Sequence, residues 1–242
     1  MRTPVIFRIL GKFLQIFGLL LFAPLLIGLY YSESLYIVSG FLFSGVACIS
    51  LGGLLTLASG DDSPDVQEAM FATVLGWVLA VSFGAIPFLV FDVSIADAVF
   101  EASAGLTTTG ISMFAEPGNL SHSMLFWRSF MQWIGGLGIL TFFIAVIRES
   151  GGASRRLFSA EAHKTDSGSI RPSLLKSITA LWKVYGFMTM LIAATFLAFD
   201  VSIFNSVLHG FSTISTGGFG LNSSSIASYG SPGLEAAVTL FM

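Results

Sequence analysis

The chain has 242 residues, of which 54% are hydrophobic and only 10% are charged. Soluble domains carry about 25% charged residues, so this composition excludes an ordinary soluble protein and indicates a chain that folds in a lipid bilayer, in contact with membrane lipids. A net charge of −3 predicts no nucleic-acid partner, and the single cysteine, Cys48, excludes an intramolecular disulfide or a cysteine-rich metal site.

Residues 1–60 predict an N-terminal hairpin of two transmembrane helices. Two uncharged runs, residues 13–32 and 35–58, are each long enough to cross roughly 30 Å of hydrocarbon as a helix. The first run lacks the small-residue cleavage site of a signal peptide and is followed at once by the second. We therefore expect both helices to be retained in the protein.

Residues 61–150 predict a first pore-loop repeat. The apolar run 69–91 is long enough to span the membrane, whereas the helical segment 93–103 is too short to do so. A loop of threonine and glycine follows, and the run 129–147 returns the chain. Non-helical backbone at membrane depth is tolerated only where it is buried in protein or lines a water-filled path, so this loop is a candidate functional element.

Residues 151–173 are rich in glycine, serine and basic residues and are expected to form a cytoplasmic linker. Residues 174–242 then repeat the earlier pattern as a second pore-loop repeat, with a spanning helix to residue 199 and a short segment at 201–211. Another apolar helix begins near Pro232, and the sequence ends within it. The expected fold is an all-α membrane protein, a helix hairpin followed by repeats of helix, pore helix, filter loop and helix.

The two repeats align without a gap at an offset of 108 residues. Residues 91–95 and 199–203 are identical, and Thr108 and Gly110 match Thr216 and Gly218. One such loop alone would more often be a threonine- and glycine-rich external turn between ordinary helices. Two gapless copies between spanning helices favour a repeated functional loop.

The chemistry of these loops suits a bare cation. A half-helix whose C-terminal end enters the membrane directs partial negative charge into it. A loop leaving that end can present carbonyl oxygens, which replace the hydration shell of a monovalent ion. Glycine adopts backbone torsions closed to other residues, as expected of Gly110 and Gly218.

The charged residues predict orientation and three local roles. In the predicted topology, ten of the eleven Lys and Arg residues lie on the same side of the membrane as the N-terminus, so that side is expected to be cytoplasmic. The opposite face has a net charge of −6 and should attract cations. Asp92 and Asp200 are expected to cap the short helices. Glu101 and Arg128 are expected either to form an ion pair that braces the first loop or to remain two solvated charges.

At these residues the sequence resembles the Trk/Ktr/HKT superfamily of potassium transporters, most closely the TrkH type. The motifs are 105–110 (GLTTTG), 132–139 (QWIGGLGI) and 209–219 (HGFSTISTGGF). The resemblance implies four pore-loop units around one ion path, each contributing a filter strand with a glycine. The three glycines of the second motif suggest either close helix packing or a hinge.

Carried onto this sequence, the resemblance implies a selectivity filter that binds potassium ions, with K⁺ at Thr108, Thr109, Thr216 and Gly217, and with no organic cofactor. It implies potassium uptake across the bacterial inner membrane, with Gly110 favouring K⁺ over Na⁺. It further implies a homodimer of full-length subunits and a cytoplasmic nucleotide-binding partner, TrkA. The first filter strand is Thr107, Thr108, Thr109 and Gly110, and the second is Ser215, Thr216, Gly217 and Gly218.

The presence of only two of the four units leaves alternatives open. The chain is either an N-terminal fragment of a longer transporter or a half that assembles with a partner, and a non-conducting scaffold or a K⁺/Na⁺ transporter of low selectivity is also considered. Channel-like flux and symport with H⁺ or Na⁺ are both compatible with the sequence. A membrane enzyme is disfavoured, because the spanning runs contain no convergent cluster of His, Asp, Glu or Cys.

Overall fold

The computed structural model describes residues 2–60, 64–149 and 170–242. Regular structure in these ranges is helical, without strands, which confirms the predicted all-α fold. Short 3₁₀ helices cover Ile86–Phe91, Pro117–Asn119 and Ser225–Tyr229. The α-helices are α1 (Thr3–Leu20), α2 (Phe22–Tyr30), α3 (Leu35–Leu57), α4 (Val66–Ala85), α5 (Ile95–Leu106), α6 (His122–Glu149), α7 (Ile170–Ala198), α8 (Ile203–Ile214) and α9 (Pro232–Phe241).

The described residues contain four segments that are long and apolar enough to cross a membrane: Thr3–Tyr30, Leu35–Leu57, Gln67–Phe91 and Ile178–Ala198. The first begins ten residues before the predicted start, because Arg8 and Lys12 interrupt the uncharged run but not the helix. Long cationic side chains near a helix end can reach the bilayer surface while their stems stay apolar. Of the predicted linker, residues 151–169 lie outside the described part of the chain, and residues 170–173 form the start of α7.

Glycines bring α1 and α3 into close antiparallel contact. A Cβ added at Gly52 would lie 2.7 Å from the carbonyl oxygen of Gly11, and one added at Gly18 would lie 3.0 Å from that of Gly45. Small residues at such positions let membrane helices approach until their backbones touch. The hairpin is therefore held by backbone packing along one glycine stripe on each helix.

Replacing Gly52 with alanine is expected to destabilise this hairpin, because the added methyl would meet backbone atoms that cannot rotate away. Overpacking of this kind costs about 1–3 kcal/mol. The neighbouring Gly53 is a matched control, since an added Cβ there has no atom within 4 Å. Thermal unfolding in detergent should show a lower Tm for Gly52→Ala and an unchanged or higher Tm for Gly53→Ala, and equal Tm values would contradict the packing.

Serines, not the predicted aspartates, cap the short helices α5 and α8. Ser94 Oγ accepts from the backbone N–H of Asp97 at 3.1 Å, and Ser202 Oγ accepts from that of Asn205 at 3.4 Å. The prediction for Asp92 and Asp200 was wrong because these residues occupy left-handed turns after the preceding helices, with φ of 54° and 61°. Aspartate tolerates this conformation better than most residues.

The N-terminal hairpin joins the first repeat at the start of α6. The Glu33 carboxylate accepts from the backbone N–H of Ser123 at 3.0 Å and also from the Ser123 hydroxyl. A carboxylate is favourable there because the first turn of a helix carries unpaired N–H groups and partial positive charge. The hairpin is thus fastened to the helix that positions the loops.

The long helix α6 packs against both short helices, α5 and α8. A Cβ added at Gly135 would overlap the Leu106 carbonyl oxygen at the end of α5, and one added at Gly136 would lie 3.1 Å from Ser215 Cβ at the end of α8. At both positions the absence of a side chain permits close helix packing, as proposed for this motif. Gly138 has more room, its nearest neighbour being Ile134 at 3.7 Å.

Candidate functional site

The two repeated loops have the same backbone conformation. The first loop (residues 107–113) has positive φ at Thr108 (55°) and Gly110 (76°). The second loop (residues 215–221) has positive φ at the equivalent Thr216 (51°) and Gly218 (75°). Positive φ is uncommon for a residue with a side chain, and its recurrence at matched threonines marks a conformation that both loops share.

Both loops leave their helices through the same pair of turn hydrogen bonds. In the first loop, Thr108 N donates to Gly105 O at 3.1 Å and Thr109 N donates to Ala104 O at 2.9 Å. The bonds at the equivalent positions in the second loop are Thr216 N to Thr213 O at 2.9 Å and Gly217 N to Ser212 O at 2.8 Å. The repeat in the sequence is therefore a repeat in structure, down to individual amides.

The two loops lie against each other and open onto one cleft. Gly110 is so close to the second loop that an added Cβ would overlap the Gly217 carbonyl oxygen. The cleft has a volume of about 700 Å³. From the loops it is lined by Thr107, Thr108, Ser215 and Thr216. The C-terminal ends of α5 and α8 meet here, so their free carbonyls and helix dipoles bring partial negative charge to the cleft.

Behind the loops, Glu101 and Arg128 form a fully buried ion pair. Arg128 Nε lies 2.7 Å from Glu101 Oε1, and the two side chains are 1% and 0% exposed. The carboxylate also accepts from Ser112 Oγ at 3.0 Å and from the backbone N–H of Met113 at 2.8 Å. Glu101 and Arg128 are thus in direct contact. Glu101 also holds the C-terminal end of the first loop, through Ser112 and Met113.

Arg128 links equivalent positions of the two loops. Its Nη2 donates to Ser112 Oγ at 2.9 Å, and its Nη1 donates to the carbonyl oxygen of Gly220 at 3.2 Å. Ser112 and Gly220 are related by the 108-residue offset. The guanidinium carbon lies 4.3 Å from the centre of the Phe219 ring, a distance suited to a cation–π interaction.

Gln132, one helical turn after Arg128, holds the second loop, and the sequence did not identify it as a site residue. Its Nε2 donates to the Gly217 carbonyl oxygen at 2.7 Å, and its Oε1 accepts from the Phe219 N–H at 3.3 Å. The signal was an amide side chain within the mainly apolar run 129–147, where a polar group needs buried partners.

The predicted filter residues differ in their surroundings. Thr107, Thr109, Thr216 and Gly218 are exposed at the loop surface. The Thr107 and Thr109 hydroxyls lie 2.8 Å apart. Gly217 is buried, and its carbonyl oxygen already accepts from Gln132. Within the described ranges no three His, Cys, Asp or Glu side chains are placed to hold a metal ion.

Comparison with known proteins identifies one family. The profile of the TrkH family, described as a cation transport protein, matches residues 38–242. The Trk system potassium uptake protein TrkH of Escherichia coli K12 is 28% identical over 250 residues, covering 100% of this chain and 51% of that protein. An uncharacterized cation transporter of Methanocaldococcus jannaschii is 33% identical over 219 residues, covering 90% of this chain and 45% of that protein.

A solved structure has the same fold. The crystal structure of the potassium transporter TrkH from Vibrio parahaemolyticus superimposes with a TM-score of 0.81 at 26% sequence identity, covering 100% of this chain and 49% of that one. The chain therefore spans about half the length of the relatives that it matches.

Proposed function

The chain belongs to the TrkH family of cation transport proteins, and on this premise we propose that it takes part in potassium uptake across the bacterial inner membrane. The observation that carries the proposal is the pair of loops with one backbone conformation, in contact with each other and open to one cleft. A transport family is not an enzyme family, and the chain is not an enzyme.

We assign the ion ligands to the two loops. In each loop, residues with positive φ alternate with residues of negative φ. This alternation lets successive carbonyl oxygens point to the same side of the loop, as a row of ion ligands requires. The proposed filter comprises residues 107–110 and 215–218, with K⁺ at Thr108, Thr109, Thr216 and Gly217. Gly217 is included because a carbonyl oxygen has two lone pairs, and Gln132 uses one of them.

Two loops alone cannot surround an ion, so further loops must complete the path. They come either from a longer polypeptide of which this sequence is part or from a partner chain. A reading frame that continues past codon 242 with two more such loops would support the first arrangement, and a stop codon there would favour a half-transporter or scaffold. We further propose a cytoplasmic N-terminus, from the distribution of basic residues, a dimer of full-length subunits and a TrkA-like regulatory partner.

Ion flux into liposomes tests the proposed activity. The full gene product, purified and reconstituted, is expected to take up K⁺ faster than Na⁺ under equal gradients, because carbonyls spaced for dehydrated K⁺ replace its hydration shell better. Protein-free liposomes are the control. Absence of K⁺ uptake would contradict the transport role, and equal rates would indicate a transporter of low selectivity. Repeating the assay with and without a H⁺ or Na⁺ gradient separates channel-like flux from symport.

A further inference from the structure

The C-terminal ends of the two loops are both held by residues of the first repeat, but by different helices. Glu101 holds the first loop from within its own repeat, through Ser112 and Met113. The equivalent position in the second repeat is His209. Its ring is directed elsewhere, with Nε2 at 3.0 Å from the Tyr229 hydroxyl and the ring stacked on Phe196 at 4.6 Å. The second loop must therefore take its support from another element.

That element is α6, which belongs to the first repeat. Arg128 and Gln132 are four residues apart and so lie on one face of the helix. Arg128 reaches Gly220 O, and Gln132 reaches Gly217 O and Phe219 N. Gln132 is 0% exposed, so these hydrogen bonds form away from water, where leaving either group unpaired is costly.

Gln132 binds the second loop at its pair of successive glycines. Gln132 binds the peptide groups on either side of Gly218, whose φ is 75° and whose added Cβ would have no neighbour within 4 Å. The second loop has two successive glycines, Gly217 and Gly218, where the first has Thr109 and Gly110. Paired glycines have the greatest conformational freedom, so this loop needs a restraint at a position where the first loop has a threonine.

Gly217 and Gln132 are also sterically matched. A Cβ added at Gly217 would lie 2.6 Å from Gln132 Oε1 and 2.7 Å from Nε2. The glycine is therefore required at this position not by its φ but by the amide that lies against it.

We propose that Gln132 is the positioning residue of the second loop, and that it helps to set ion selectivity from outside the filter. Its Nε2 donates to the carbonyl oxygen of Gly217, and its Oε1 accepts from the N–H of Phe219. These two hydrogen bonds restrict Gly218, which lies between them, to one conformation. The role rests on the proposed function, since a restrained loop affects selectivity only if the loop binds the ion.

The experiment compares two variants of Gln132 with a matched control in the full gene product. Gln132→Met keeps the length of the side chain and removes both hydrogen bonds. Gln132→Glu keeps an acceptor for Phe219 N and, when ionised, has no donor for Gly217 O. Gln15→Met makes the same chemical change on α1, where the amide donates to Thr56 Oγ1 at 3.4 Å, far from both loops in the sequence.

Two readouts are measured, the K⁺/Na⁺ uptake ratio in liposomes and the Tm in K⁺ relative to Na⁺. Gln132→Met is expected to lower the ratio by about tenfold, as loss of buried hydrogen bonds to one strand would do, and to remove the extra stabilisation by K⁺. For Gln132→Glu, the uptake ratio and the Tm difference are both expected to lie between those of Gln132→Met and those of the unmodified protein. Gln15→Met is expected to keep both values.

The outcomes separate this inference from the proposed function. An unmodified protein that takes up no K⁺ would contradict the proposed function itself, whereas one that takes up K⁺ without preference over Na⁺ would overturn the selectivity role of Gln132. A K⁺ preference retained in the unmodified protein and in folded Gln132→Met would overturn only the role of Gln132. If Gln132→Met does not fold, Gln132→Glu decides at a pH high enough to ionise its buried carboxyl, because a ratio and Tm difference equal to those of the unmodified protein would then show that donation to Gly217 is unnecessary.

Discussion

Replacing Gly110 with alanine is expected to abolish selective K⁺ uptake. The residue has a φ of 76°, a conformation that costs a residue with a Cβ about 1–2 kcal/mol. The new methyl would also overlap the Gly217 carbonyl oxygen of the adjacent loop, which is held by Gln132 and cannot rotate freely. One substitution therefore strains the first loop and displaces a proposed ion ligand of the second. Uptake of K⁺ and Na⁺ into liposomes measures the effect.

Gly218→Ala is the matched comparison for this prediction. Gly218 has nearly the same φ, 75°, but an added Cβ there would have no neighbour within 4 Å. Gly218→Ala should therefore have only the strain of a positive φ, without a steric overlap, and should keep part of the K⁺ uptake and of the preference for K⁺. Because only Gly110 contacts the other loop, Gly110→Ala should reduce selective K⁺ uptake more than Gly218→Ala does. Equal effects of the two substitutions, or normal selectivity in Gly110→Ala, would show that the loops do not meet in the working protein.

Arg128→Met is expected to be strongly destabilising. It would leave the Glu101 carboxylate buried without its partner, which costs about 3–5 kcal/mol for a pair of this kind. It would also remove the bonds to Ser112 and Gly220 that join the two loops. The amount of folded protein and its Tm in detergent should both fall sharply.

A double-mutant cycle separates the charge from the bracing. Glu101→Gln with Arg128→Met should recover much of the lost stability, because no unpaired charge remains. The cycle should show a coupling of about 2 kcal/mol or more, whereas effects that add within about 0.5 kcal/mol would indicate no direct interaction. If the pair also braces the loops, the double variant should regain stability without regaining selective uptake.

Local features of this fold could be predicted from the sequence. The 108-residue repeat places two short helices and two loops because each copy contains its own helix, turn and glycine within a continuous segment. The conformation of Thr108 follows that of Thr216 for the same reason. The errors were also local and physical. Asp92 and Asp200 resemble caps by residue type, but the residue that caps each short helix is the serine two positions later. In the first repeat this serine, Ser94, has the extended backbone that a cap requires.

Contacts between the repeats could not be predicted in the same way. Gln132 and Gly217 are 85 residues apart, and their hydrogen bond depends on how α6 packs between α5 and α8. For Glu101 and Arg128 the sequence predicts an ion pair as one of two alternatives, because unlike charges at membrane depth tend to pair. No comparable rule links an uncharged amide to a particular carbonyl. The support of the second loop by the first repeat is therefore visible only in three dimensions.

The most direct test of carbonyl-bound potassium is the position of the ion itself. Crystals of the full gene product grown in Rb⁺ or Tl⁺, heavier ions that substitute for K⁺, would reveal bound ions by anomalous scattering. We expect peaks within coordination distance of the carbonyl oxygens of the two loops, near Thr108, Thr109, Thr216 and Gly217. Peaks confined to carboxylate side chains, or loops without any peak at saturating Tl⁺, would contradict it.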